Sequence, residues 1–346
     1  MDTGHNFKVL EHKAAGHDGT LTDGDGLLIF KPALPQELEF YKVVQARDMS
    51  RDEPLASQDA PLHSWMPTYL GVLDEGAKVG SGGNAGLLEV DQRLSDSTDD
   101  LDLTSSQANG DKEYLVLENL LYGFSKPNVL DIKLGKILYD SKAPLEKRER
   151  LKKVSEETTS GSLCFRICGM KIQKNPSVLA QLSPEHYEEG AETDYVFINK
   201  LYGRSRTDHN VADAIALYFD NPHLSDTRKH QLKKMFLKRL QLFYNTILEE
   251  EVRMISSSLL FIYEGDPKRW DLLHDTDQLM RDDFIDSDED DDEEVGEDRK
   301  QKDKKSTRLS SMSLIDFAHA EVTPGKGYDE NVIEGVENLL GIFMKF

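Results

Sequence analysis

The sequence predicts an α+β protein, and three observations carry that prediction. Short apolar runs bounded by Gly, Asp and Pro dominate the chain up to about residue 125. Stretches with apolar residues at helical spacing, interleaved with a few strands, dominate from about residue 126 onward. Between them, the segment 127–135 sets an acid and a base into an aliphatic strand. Strands early and helices late give two regions, 1–125 and 126–346, with a cleft between lobes.

In the first region, residues 9–15 and 27–32 read as strands joined by a Gly- and Asp-rich turn over 15–26. A helix follows from Pro35 to Tyr41, with proline near its start and Leu38 and Tyr41 on one face. Residues 67–73 and 113–119 are the next strands. The stretch 76–111 between them, rich in Gly, Ser and Asp, is expected to be a mobile loop. In the second region the strand at 127–135 leads to a charged helix over 144–157 and a strand over 163–173. Helices are predicted over 211–219 and 226–250, the latter with Leu232, Phe236, Leu240 and Phe243 on one stripe. Strands over 254–263 and 313–319 and a closing helix over 331–343 complete the reading. Residues 281–310 hold an acidic block followed by a basic one. Charges at that density stay solvated, which predicts a disordered insertion, either a solubilising loop or a docking site for a basic partner.

The chain has 346 residues, 42 basic against 64 acidic side chains and a net charge of -22. That balance argues against binding DNA or a membrane surface through the whole exterior, so an anionic small substrate would need a local basic patch. Cys164 and Cys168, the only cysteines, read as small buried side chains on one strand face. A reducing compartment, cytosol or nucleus, is the expectation. The N-terminus lacks a basic start followed by an apolar core, and no apolar run approaches a membrane span.

Side chains at i and i+2 leave a strand on the same face, so Asp131 and Lys133 share one pocket while Val129, Leu130, Ile132 and Leu134 anchor the segment. The structural alternative, a simple Asp131–Lys133 ion pair, would be an expensive use of a buried strand. The run Pro127-Asn128-Val129-Leu130-Asp131-Ile132-Lys133-Leu134-Gly135 has the form Pro-x-x-x-Asp-x-Lys-x-Gly. It resembles the signature of the inositol polyphosphate kinase family, and its continuation through Tyr139-Asp140 looks most like the multikinase branch. Ser256-Ser257-Ser258-Leu259-Leu260 and Ile315-Asp316-Phe317 are similar to two further family motifs and occur in the family's order.

The resemblance implies a two-lobed inositol polyphosphate kinase fold, with an ATP cleft between a mainly β N-lobe and a larger α+β C-lobe. A short helical inositol-binding segment is expected at 140–160. Asp131 and Lys133 would be catalytic, Asp131 holding the ribose hydroxyls and Lys133 the acceptor and moving phosphate. Lys31, which by itself reads as a solvated strand-end lysine, would contact the donor phosphates. The Glu118 carbonyl and Leu120 amide would read the adenine edge. Asp316 would complete the ATP site and hold Mg2+ together with Ser258. Pro127, Lys133, Gly135, Lys136, Arg150, Lys153 and His319 would bind substrate, with Lys171 adding a contact. Outside the family context, the Lys- and Arg-rich helix carrying Arg150 and Lys153 would read as a solvated surface.

What is known of the branch implies an ATP- and Mg2+-dependent multikinase acting on inositol 1,4,5-trisphosphate at its 6- and 3-hydroxyls. It also implies nuclear residence, MADS-box transcription-factor partners and a role in regulating arginine metabolism, with no direct DNA binding. The alternative is a non-catalytic stabiliser of a transcription-factor complex that works through the acidic segment. No His-Arg-Asp loop or Gly-x-Gly-x-x-Gly loop points to a protein kinase.

Overall fold

The computed structural model describes residues 8–9, 20–49, 60–74, 113–190, 194–281, 284 and 308–346. Most of the predicted strand at 9–15, the loop at 76–111 and all of 282–307 except Phe284 lie outside the described residues. The chain begins with β1 (Lys8–Val9), β2 (Leu21–Thr22), β3 (Leu28–Pro32), α1 (Pro35–Met49), a 3-10 turn (Leu62–Trp65), β4 (Tyr69–Asp74) and β5 (Glu113–Glu118). It continues with β6 (Pro127–Leu134), α2 (Leu145–Glu156), α3 (Thr159–Leu163), β7 (Phe165–Gln173), α4 (Pro176–Leu179), β8 (Tyr187–Glu189) and β9 (Tyr195–Ile198). Helices α5 (Lys200–Arg204), α6 (Val211–Tyr218) and α7 (Asp226–Leu248) follow. The last elements are β10 (Val252–Ile255), β11 (Ser258–Glu264), α8 (Pro267–Leu272), β12 (Ser310–Ile315), β13 (His319–Val322) and α9 (Glu330–Phe343).

Two antiparallel sheets organise the molecule, in the orders β1-β2-β3-β5-β4 and β12-β11-β6-β7-β9-β8, with β10 and β13 forming a separate ribbon. The α+β prediction holds. In the six-stranded sheet, Leu130, Ile132 and Leu134 on β6 share the core with Leu259 and Phe261 on β11, and with Phe236, Leu240 and Phe343 of α7 and α9. Burying each such side chain contributes roughly 1.5–3 kcal/mol, which fixes the register and sends the alternate residues to the other face. That second face carries Val129, Asp131 and Lys133. Their antiparallel partners are Ile262, Leu260 and Ser258 on β11, and Lys171, Gly169 and Arg166 on β7.

Several predicted elements are broken where the chain must turn. The strand expected over 254–263 becomes β10 and β11, because Ser256 sits in the left-handed region at φ 63°. The strand expected over 313–319 is cut the same way by Asp316 at φ 65°. The turn expected over 15–26 contains β2. Its tight part is the stretch from Asp23 to Leu28, held by the Asp23 carboxylate at 3.0 Å from the Leu28 amide. Cys164 and Cys168 do not share a strand face. Cys164 is a buried left-handed cap (φ 54°) after α3, and Cys168 is the extra residue of a β-bulge opposite the Asp131–Ile132 step. Burial, with Glu334 beside it, pushes the Cys164 thiol up to about 12, so it stays protonated.

Helix α1 extends to Met49, beyond the predicted Tyr41, because Val44 remains buried. It ties the two sheets together. Phe40 stacks on Phe317 at 5.0 Å and Tyr41 meets the same ring edge-on at 5.2 Å. Next to it, Trp65 of the 3-10 turn donates to the Thr246 hydroxyl of α7 at 3.1 Å. At the helix end, Arg47 bridges Asp48 at 2.9 Å and Glu250 at 2.8 Å, and the buried Asp48 also accepts from the His63 amide at 3.1 Å. The edges of the predicted insertion at 281–310 belong to the packed fold: Arg308, Leu309 and Ser310 are buried, and both Leu309 and Ser310 amides donate to Asp277 at 3.0 Å.

Burial alone would raise the Asp48 carboxyl, but hydrogen bonds from His63 and Arg47 outweigh it and bring it down to about 2. A depressed carboxyl stabilises the fold above its unfolded value and loses that contribution as pH falls through the folded one. Asp48→Asn should therefore cost about 1–2 kcal/mol near neutrality. Thermal melts of both proteins should converge as pH drops from 4 toward 2, and a constant difference over that range would rule this linkage out.

Candidate functional site

The site begins with β6. Asp131 is buried and Lys133 half-buried, both on the face of the six-stranded sheet turned away from the α7–α9 core. Directly across from Lys133 on β7 stands Arg166, 6% exposed, whose Nη1 has no hydrogen-bond partner among the described residues. Across on β11 stands Ser258, whose other neighbour is Ile315, the residue before Asp316. The antiparallel register thus gathers an acid, two cations and a hydroxyl on one surface.

Next to them lies a small apolar shelf. Leu120, Val129 and Ile262 form a cluster separate from the main core, with the half-buried Leu121, Phe124, Leu260 and Ile315 against it. The shelf sits under residues 119–124, which link the sheets. Among the described residues the Leu120 amide donates no hydrogen bond. The Glu118 carboxylate, in contrast, is occupied by Thr68, Arg281 and Arg308.

Above the shelf, Lys31 on β3 bridges Glu37 at 2.8 Å and Asp316 at 2.9 Å. Burial pulls the lysine pKa down, but Asp316 and Glu37 more than reverse this and hold it above the usual lysine range. Glu37, in the first turn of α1, is fully buried and also accepts from the Phe317 amide at 3.2 Å. Its second oxygen has no described partner. Asp316 does not continue the strand expected over 313–319. Its left-handed turn swings it out of β12 and leaves its side chain 26% exposed.

On the far side of Lys133, Gly135 adopts φ 93°, and a Cβ there would clash with Nδ2 of the Asn331 side chain. Asn331, at the start of α9, accepts from the Lys136 amide at 2.7 Å and the Ile137 amide at 2.8 Å. Glycine is required because the clamp closes on it. A cavity of about 530 Å3 opens next to this turn, with Ile137, Asp140, His319, Arg253, Lys326 and Asn331 in its wall. His319 Nδ1 lies 2.7 Å from Asp140, which orients the ring. Burial would raise the Asp140 carboxyl, but His319 and the Lys142 amide bring it below its ordinary value.

The remaining sequence candidates divide. Lys136 is exposed, and its carbonyl accepts from Ser155 at 2.7 Å, which docks α2 beside the turn. Arg150 and Lys153 are exposed on α2, Lys153 lying 3.8 Å from Glu157. Lys171 is buried on the Val129 side, where desolvation and Lys126 lower it to about 8. Pro127, expected in the substrate group, lies apart from its other members on β6. It pairs with Glu264 at the other end of β6, roughly 20 Å from Lys133 at the rise of a strand. Glu37, Arg166 and Asn331 were missed. A glutamate in the first turn of the helix after the Lys31 strand, and an arginine inside Phe165-Arg166-Ile167, were readable signals; Asn331 left none.

Asn331→Ala should loosen the turn after Lys133 and cost about 1 kcal/mol, the loss of two acceptor contacts at an exposed turn. Gly135→Ala should cost at least about 2 kcal/mol through clash and strain, and should cost less in an Asn331→Ala background. Denaturant melts of the two singles and the double test this, and strict additivity would refute the clamp.

Residues 114–344 match the family model described as inositol polyphosphate kinase. The chain is 75% identical to an inositol polyphosphate multikinase of Saccharomyces cerevisiae, over all of both chains. To the inositol polyphosphate multikinase of Schizosaccharomyces pombe it is 31% identical, over 75% of this chain and 80% of that one. A crystal structure of an inositol phosphate multikinase from S. cerevisiae in complex with ADP and Mn2+ superposes with a TM-score of 0.72 at 67% identity, covering 93% of this chain and 99% of that one. With the signature on β6, the Lys31–Asp316 bridge and these likenesses together, the chain belongs to the inositol polyphosphate kinase family.

Proposed function

We propose that this protein is an ATP- and Mg2+-dependent inositol polyphosphate multikinase that converts inositol 1,4,5-trisphosphate to tetrakis- and pentakisphosphates at the 6- and 3-hydroxyls. The observation that carries this reading is that Asp131, Lys133 and Arg166 share one sheet face, on which Ser258 pairs with Ile315 next to the Asp316 that bridges Lys31. The 75% identity to a named multikinase supports it.

The apolar shelf of Val129, Ile262, Leu260 and Ile315 suits an adenine ring, with the Glu118 carbonyl and Leu120 amide at its edge. Asp131 holds the ribose hydroxyls. Lys31 gives its charge to the donor phosphates while Glu37 keeps it in place. Asp316 and Ser258 are an oxygen donor set of the kind Mg2+ uses when it shares ligands with phosphates. Asp316 and Ser258 would hold Mg2+ there, and the charge it supplies would offset that of the donor phosphates. Lys133 and Arg166 meet the acceptor and the moving phosphate, where charge accumulates. His319, its Nδ1 held by Asp140, presents Nε2 to an acceptor phosphate or hydroxyl. Lys136, Arg150 and Lys153 extend the basic surface toward the outer phosphates.

Phosphoryl transfer of this kind depends on positioning and charge. Asp131→Ala and Asp316→Ala should therefore lower turnover by at least about a hundredfold while leaving the melt near that of the native chain. The product profile with Mg2+-ATP and inositol 1,4,5-trisphosphate decides. Stepwise tetrakis- and pentakisphosphate formation is expected, and full turnover by either variant would sink the assignment.

The second reading is a non-catalytic role in a transcription-factor complex, favoured by twelve carboxylates between Asp282 and Asp298. A segment so charged suits a basic partner such as a MADS-box protein. Nuclear residence and regulation of arginine metabolism go with that role. Removing residues 282–298 should leave turnover unchanged and weaken partner capture, and unchanged capture would dismiss the acidic segment as the contact.

A further inference from the structure

The link between the sheets contains a charge cluster that the chemistry above leaves unused. Glu118 ends β5 and is 5% exposed. One carboxylate oxygen accepts from the Thr68 amide at 3.3 Å, from the Thr68 hydroxyl at 3.0 Å, and from Arg281. Arg281 also donates to the Ser64 carbonyl at 3.3 Å and to the Met66 carbonyl. Arg308 lies 3.8 Å from the second Glu118 oxygen, 3.5 Å from the Leu120 carbonyl, and with its guanidinium 5.5 Å from the Phe124 ring centre. Both arginine side chains are buried.

The buried carboxylate is held by a charge-assisted bond from Arg281, about twice as strong as a neutral one, and by the charge of Arg308 3.8 Å away. Arg308 is shared between the carboxylate and the backbone of the link, so the charge on Glu118 acts on that backbone. The peptide after Leu120 is gripped at both ends, its carbonyl by Arg308 and its N–H by Asn119 Oδ1 at 3.1 Å. The peptide before it is gripped through the Asn119 carbonyl, which accepts from the Tyr122 amide at 2.9 Å. Between these grips the Leu120 N–H has no described acceptor and adjoins the apolar shelf.

We infer that the Glu118 side chain is a positioning residue for nucleotide recognition: through Arg308, with Arg281 bracing it, the carboxylate aims the Leu120 amide and thereby sets ATP affinity and base preference. This rests on the ATP reading of the shelf. The role is separate from that of the Glu118 carbonyl, because Glu118→Gln keeps the backbone and the side-chain shape and removes only the charge.

The test uses the full chain and compares the native enzyme with Glu118→Gln, Arg308→Gln and the double variant. Read out are the KM for ATP, the KM for inositol 1,4,5-trisphosphate, the ratio of kcat/KM for ATP over GTP, and the Tm. Each single variant should raise the ATP KM about tenfold, the equivalent of one charge-assisted hydrogen bond, and narrow the ATP preference, with the inositol phosphate KM unmoved. The double should be no worse than the more affected single, since both act through one contact. Native ATP KM and base preference in Glu118→Gln overturns the inference and leaves the proposed function standing. So does a parallel rise of both KM values with a lowered Tm, which marks a structural role. A native enzyme that neither binds nor turns over ATP overturns both.

Discussion

The two-residue period of β6 is the constraint on which the rest of the structure depends. Leu130, Ile132 and Leu134 have to reach the core with α7 and α9, and this leaves Asp131 and Lys133 only the opposite face. Once β6 is fixed at the centre of the sheet, its neighbours bring Ser258 and Arg166 to the same surface by register alone. A slip of one residue would bury a charge pair among phenylalanines and expose three aliphatics, which is why the register is strongly specified. The same packing that stabilises the fold thus assembles the polar face.

Charge is distributed unevenly over this framework. The chain carries a net charge of -22, yet several of the deepest described acids are paired. Glu37 holds Lys31, Glu118 holds Arg281, Asp277 lies 3.4 Å from Arg239, and Glu264 lies 3.4 Å from Arg269. Removing one partner from such a pair leaves an uncompensated buried charge, so these contacts fix geometry more than they add stability. Lys133, Arg166 and Lys171 are arranged differently, on the sheet face turned away from the α7–α9 core and without a described acid partner. For a polyanion approaching such cations inside an acidic molecule, distant repulsion would be screened over about a Debye length.

Connections between the sheets run through aromatic packing and ion pairs. Phe317 follows Asp316 directly and packs on Phe40 and Tyr41 of α1, the helix that also carries Glu37. The Lys31–Glu37–Asp316 bridge and this aromatic group are therefore one unit, in which the position of α1 sets the orientation of the lysine. The left-handed turn at Asp316 separates a carboxylate directed outward from a ring directed inward in consecutive residues.

Sequence by itself determined the α+β class, the strand at β6, the helices α6, α7 and α9, and the placing of Asp131 and Lys133 on one face of β6. Each rests on local periodicity or on a contiguous motif, and both are properties of neighbouring residues. The tertiary structure alone decided the breaks at Ser256 and Asp316, the grip of Asn331 on Gly135, the Arg281 and Arg308 contacts to Glu118, and the remoteness of Pro127 from Lys133. All of these depend on partners far away in the chain: Asn331 and Gly135 are 196 positions apart, and a strand read as one apolar run gives no sign of where a carboxylate must turn out to meet a lysine from the other sheet. Periodicity reports which face of an element is buried, and only packing decides which elements share that face.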